Sequence, residues 1–160
     1  MRIGIKSLLF GAHQFIYHPL LVFLAWVNLY GLPNWREIIC IIIHDWGYYK
    51  CYTLDGEDDL FHSKIGANIA LKLFGVYEYK LCLLHSRRYA KFVKMPVSKL
   101  GCADKYSFGY EWRFFYLLRT NLTGEIKAFR HEFFEEGTDN EWFNKNQIKM
   151  VKWALSNYKS

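Results

Sequence analysis

Six residues far apart in the chain have the chemistry of metal ligands: His18, His44, Asp45, His62, His85 and Asp104. Imidazole nitrogen and carboxylate oxygen suit divalent transition ions such as Fe, Mn, Co, Ni or Zn. The intervals from His18 to His44, His62, His85 and Asp104 in turn are 26, 18, 23 and 19 residues, about one helix and loop each. Segments of that length can return every side chain to one centre in a helical bundle. A lone His on an apolar helix is more often a satisfied core residue. One on each of four consecutive helical segments or their mouths, with a later Asp embedded in ADK, argues instead for metal. Such a set is enough for one or two ions with a carboxylate between them. A two-metal centre can generate hydroxide and hold both sides of a phosphate ester during displacement.

The stretch CIIIHDWGYYK sharpens the case. An apolar run belongs in a core, yet it ends in His44 and Asp45. A buried, unpaired carboxylate costs several kcal/mol or more, so a salt bridge, a hydrogen-bonded pair or a cation must compensate it. Around these residues lie groups that could bind or process an anion. His85 is followed by Arg87, Arg88 and Lys91, and Lys105 follows Asp104. On one continuous helix Arg88 would share a face with His85 and Arg87 with Lys91. An arginine there could hold phosphate oxygens bidentately, the alternative being a solvated basic face. Lys105 could neutralise a phosphate or balance the aspartate. Asp55 and Glu57 sit in an acidic loop and are the candidates for a general acid or base, set against an ordinary exposed loop. His13 could reach the mouth of the site, whereas His131 lies past the constellation. The aromatics from Tyr106 to Tyr116 could wall a base-binding pocket or simply pack a core.

The elements that must position these groups read as helices. Residues 19–30 begin with a proline and end before Gly31 and Pro33. Asn34 and Glu37 form a capping pair before a helix over about 35–46. Further helices fit 60–74, 76–92, 98–118 and 125–135, and Thr138 with Glu141 caps a last one ending near Tyr158. The expected fold is an all-α bundle of about six to seven helices. It forms one domain over 1–160, with a motif-bearing core at 11–130 and a helical extension at 131–160.

Composition narrows the class. Lys and Arg exceed Asp and Glu by 21 to 15, a net charge of +6 that favours anionic partners. Four scattered cysteines without a CxxC pair read as reduced core thiols in a cytoplasmic protein. The longest apolar run, Pro19 to Val27, is too short to span a bilayer, and no signal peptide is expected.

The order His18, His44-Asp45, His62, His85, Asp104 resembles the H…HD…H…H…D signature of HD-domain metal-dependent phosphohydrolases. The local sequences HPLLVFLAW, IIIHDWGY, DGEDDLFHSKIGA, HSRRYAK and KLGCADK are similar to a small bacterial and phage branch of that superfamily. The resemblance implies that His18, His44, Asp45 and Asp104 hold one ion. His62 and His85 would complete a second, with Asp45 bridging and so counted among the catalytic groups. It also implies hydrolysis of a phosphate ester or anhydride of a small nucleotide-like substrate by a metal-activated hydroxide. The rival readings are an HD-fold di-iron oxygenase with the same ligands, and a non-catalytic module that binds nucleotide or nucleic acid.

Overall fold

The computed structural model describes residues 2–53, 60–132 and 137–159, the side chains of 131 and 132 excepted. All regular structure among the described residues is helical. Helix α1 spans Ile3–Phe10, α2 Tyr17–Tyr30, α3 Trp35–Ile43, α4 Ser63–Phe74 and α5 Val76–Leu83. They are followed by α6 Arg87–Phe92, α7 Lys99–Ser107, α8 Arg113–Thr123, α9 Glu125–Glu132 and α10 Asp139–Asn157. Short 3-10 turns cover Trp46–Lys50 and Phe108–Tyr110.

The all-α expectation holds, but with ten α-helices among the described residues instead of six or seven. Two expected helices are each broken in two. The segment 76–92 stops at Leu83 because Ser98 takes the end of α5: its hydroxyl donates to the Leu81 carbonyl at 2.7 Å and its N–H to Leu84 at 3.0 Å. Ser86 then turns extended and caps α6, accepting from the Tyr89 N–H at 3.2 Å. The segment 98–118 stops at Ser107, where the Gln147 amide donates to the carbonyls of Phe108 and Glu111 at 2.9 and 3.1 Å. The additional helix is α1, which docks on the Trp46–Lys50 turn.

Local signals set several boundaries. Asn34 accepts from the N–H groups of Arg36 and Glu37, and Glu37 accepts in return from Asn34 N–H at 2.8 Å. Such a cap stabilises a helix by about 1 kcal/mol. Thr138 and Glu141 form the same box at the start of α10. Helix α2 starts at Tyr17, with the Gln14 side chain accepting from Ile16 and Tyr17 N–H. Pro19 therefore lies in the first turn, where its missing N–H costs nothing, and His18 is the second helical residue.

Helix α7 packs against α2, α5 and α10, and α4 packs along α5. One apolar cluster joins Val22, Ala25 and Trp26 of α2 to Ile41 and Ile43 of α3, Ala67 of α4 and Leu100 and Ala103 of α7. Burying each large aliphatic side chain there contributes about 1.5–3 kcal/mol. A second cluster joins Ala12, Tyr116, Ile126, Trp142 and Phe143. The four cysteines are buried and unbridged. No helix among the described residues is long and apolar enough to cross a membrane.

Candidate metal centre

Four of the six ligand candidates stand where elements end or break, whereas His18 lies in the first turn of α2 and Asp104 within α7. His44 follows the last residue of α3, Asp45 opens the 3-10 turn, His62 precedes α4, and His85 lies in the break before α6. Three glycines let the backbones carrying them approach. A Cβ at Gly47 would fall 1.5 Å from the His62 carbonyl oxygen, at Gly66 2.4 Å from that of Ile43, and at Gly101 2.6 Å from that of His85. No side chain fits at those separations.

All six side chains converge, and all are buried. Asp45 lies between two sets of nitrogens. Its Oδ2 is 3.3 Å from His18 Nε2 and 3.3 Å from His44 Nε2. Its Oδ1 is 3.1 Å from His85 Nε2 and 3.8 Å from His62 Nε2. His18 Nε2 is also 3.2 Å from Asp104 Oδ1, and the Nε2 atoms of His62 and His85 are 3.1 Å apart. Two triads, His18–His44–Asp104 and His44–Asp45–His85, each have ligand atoms within 4.8 Å of one another.

These spacings suit a shared cation. Two ligands on bonds of about 2.1 Å, separated by the angles of octahedral or tetrahedral coordination, stand about 3.0–3.4 Å apart. Hydrogen bonding supplies a second test. His44 Nδ1–H donates to the Ile41 carbonyl at 2.7 Å, and His85 Nδ1–H to the Cys82 carbonyl at 2.6 Å. A carbonyl only accepts, so each Nδ1 carries a proton, and whenever the ring is neutral a bare Nε2 faces Asp45. Lone pairs then face lone pairs, which needs a proton or a cation between them. For His85 a proton is disfavoured, since burial lowers its pKa to about 4 although Asp45 opposes the shift. The Nε2 atoms of His18 and His44 are buried and make no hydrogen bond of acceptable geometry, despite their closeness to carboxylates. Buried nitrogens aimed at a common point without hydrogen bonds fit a metal ion.

The electrostatics agree. Burial would raise the pKa of Asp45, but His44, His13 and His18 outweigh it and hold the carboxyl well below its ordinary range. Burial acts likewise on Asp104 and is outweighed first by Lys105, then by His18. For His18, burial alone would lower the pKa; the two carboxylates reverse this and lift it to about 10. In the ion-free protein a proton on His18 can therefore stand where a cation would.

The centre opens into a cavity of about 430 Å³. Arg87, Arg88, Lys91 and Lys105 all line it. Because the helix breaks at Ser86, Arg88 does not share a helix face with His85, whereas Arg87 and Lys91 still lie four residues apart on α6. Lys105 Nζ is 2.7 Å from Asp104 Oδ2, so it balances that aspartate. Asp55, Glu57 and the side chain of His131 lie outside the described residues. His13 lines the cavity wall, and burial lowers its pKa to about 3.

Several wall residues were not singled out from sequence. Trp142, Asn146 and Met150 of α10 line the cavity at four-residue spacing, a helical stripe that the sequence displays. Glu111 also lines it and is held by Arg119, whose Nη2 donates to both carboxylate oxygens at 2.9 Å. Nothing in the local sequence marks that pair. Of the late aromatics, Phe108 and Tyr116 line the cavity, whereas Trp112 and Phe114 are exposed.

Comparison of the chain with protein-family models, with curated proteins and with solved structures finds no match.

Proposed function

We infer that this chain is a metal-dependent phosphohydrolase with an HD-type centre, acting on an ester or anhydride of a small nucleotide-like phosphate. The observation that carries the reading is the division of Asp45, with Oδ2 toward His18 and His44 and Oδ1 toward His62 and His85. A bridging carboxylate needs that disposition. Divalent ions held there would supply Lewis acidity and lower the pKa of a bound water.

The chain's own residues bind, orient and compensate charge. Arg87, Arg88 and Lys91 line the cavity and can hold anionic oxygens. Lys105 offsets Asp104 and limits the net negative charge that an approaching phosphate meets. Phe108, Tyr116, Trp142 and Met150 also line the cavity and offer apolar surface to an organic group. Phosphate chemistry is favoured over the oxygenase reading because a cavity lined by Arg87, Arg88 and Lys91, beyond the Lys105 that balances Asp104, suits an anion better than a neutral substrate.

The test is phosphate release from mononucleotides, triphosphates, dinucleoside polyphosphates and cyclic dinucleotides, with Mn, Co, Ni or Fe, for the natural chain and Asp45→Ala. The expected result is metal-dependent release that Asp45→Ala abolishes. Release unaffected by Asp45→Ala refutes the site. Oxygen consumption by the iron-loaded protein without phosphate release selects the oxygenase. Salt-sensitive nucleotide or nucleic-acid binding that survives loss of the ligands selects the binding module.

A further inference from the structure

His44 and His85 are each oriented by their own helix turn, through Nδ1–H and a carbonyl three residues back. His62 carries a parallel ring contact. Its ring lies flat on Tyr48, with centroids 4.4 Å apart and planes inclined by 10°. Tyr48 in turn stacks on His13 at 4.1 Å and 28°. Two rings that close and that nearly parallel to Tyr48 cannot share one face, so Tyr48 is sandwiched between the histidines.

The outer ring of the stack is itself anchored. His13 Nδ1 is 2.8 Å from Ser7 Oγ, and the Ser7 hydroxyl donates to Glu125. With that hydrogen spent on the carboxylate, Ser7 Oγ accepts the proton of His13 Nδ1. Glu125 is fully buried and also accepts from Ala12 N–H at 2.9 Å and from the Thr123 hydroxyl at 2.6 Å. Gly47 presses its backbone against His62, and Gly4 of α1 presses against the Tyr48 carbonyl, so the stack is clamped along the chain as well.

We propose that Tyr48 is a positioning residue for the His62 half of the centre, acting through a stack that Ser7 and Glu125 anchor by way of His13. The inference rests on the metal-centre reading above and assigns a role to residues outside the ligand set. Ring orientation is what it controls. A histidine ligand left to rotate loses the alignment of its lone pair, and loss of an orienting partner typically costs roughly tenfold or more in metal affinity.

The experiment is equilibrium dialysis against Mn and Co, with bound metal measured by elemental analysis, on the natural chain, Tyr48→Phe, Tyr48→Leu and Ser7→Ala. The natural chain should bind two ions. Tyr48→Phe keeps the ring and should match it. Tyr48→Leu should retain one ion and bind the second roughly tenfold or more weakly. Ser7→Ala, which leaves the stack intact but unanchored, should fall between these two. A cavity that merely needed bulk would treat Leu and Phe alike. Tyr48→Leu binding both ions like the natural chain overturns the proposal, as does Tyr48→Phe losing the second ion to the same degree as Tyr48→Leu. Should Tyr48→Leu fail to fold, Ser7→Ala decides: unchanged affinity for the second ion overturns the proposal. A natural chain that binds no ion overturns the metal-centre reading itself, a result distinct from these.

Discussion

Asp45→Asn changes one atom type and should remove the benefit of both ions at once. The side chain keeps its shape but loses its charge and offers one oxygen where Asp45 offers two. Each of those oxygens lies within 3.3 Å of at least one imidazole nitrogen in its own set. The expected magnitude comes from linkage. An ion at about 100 times its dissociation constant stabilises the folded state by about 2.7 kcal/mol. In a chain of 160 residues, 1 kcal/mol moves the melting midpoint by about 2–4 °C. One ion should therefore raise Tm by about 5–11 °C and two by about twice that. Differential scanning fluorimetry with and without saturating Mn measures it directly. The natural chain should show the two-ion shift, His62→Ala and Asp104→Asn about half of it, and Asp45→Asn less than about 3 °C. If Asp45→Asn shows the full shift, the ions bind elsewhere and the bridging argument fails. If His62→Ala and Asp45→Asn give equal shifts, the two sets are not independent and only one ion binds.

Three further outcomes are expected. In chelator-treated protein, burial would lower the pKa of His18 but Asp104 and Asp45 raise it to about 10. A pKa raised above the unfolded value stabilises fully below about pH 6.5, and that contribution is lost as pH climbs through about 10. Urea midpoints should fall across that window; a flat profile refutes the assignment. Arg119→Met strands Glu111 against the cavity and should cost about 3 kcal/mol in urea denaturation, near the low end for a broken buried pair because burial already raises the Glu111 pKa. A loss under about 1 kcal/mol would count against the pair. Arg87→Gln, Arg88→Gln or Lys91→Gln should leave metal content intact while raising KM for phosphate release, by about ten- to a hundredfold for a residue that grips substrate. If all three leave KM unchanged, the basic wall does not meet the substrate.

The candidate ligands were legible as a group because their signal is chemical and ordered along the chain. His18, His44, Asp45, His62, His85 and Asp104 could be picked out by type and interval, and the coordinates bring them together. Both capping boxes were legible too, since Asn34 with Glu37 and Thr138 with Glu141 act within four residues. What escaped depends on tertiary partners. The break at Ser86 requires Ser98 to occupy the end of α5, which no pattern within 76–92 encodes. Helix α1 is short and takes its place from Gly4 meeting the Tyr48 carbonyl. The extension beyond residue 131 was set apart from the motif-bearing core, yet α10 supplies Trp142 and Met150 to the cavity. Its apolar stripe could be seen, but not what it would face.

The tight seating of Gly47, Gly66 and Gly101 reverses the usual order of tolerance around a centre of this kind. The groups with the most reactivity hang on side chains that can be exchanged for other donors without redirecting the main chain. The hydrogen atoms of three inert residues, by contrast, occupy space that no methyl can enter. Drift in such a protein should alter the donors at the centre long before it alters where the backbones meet.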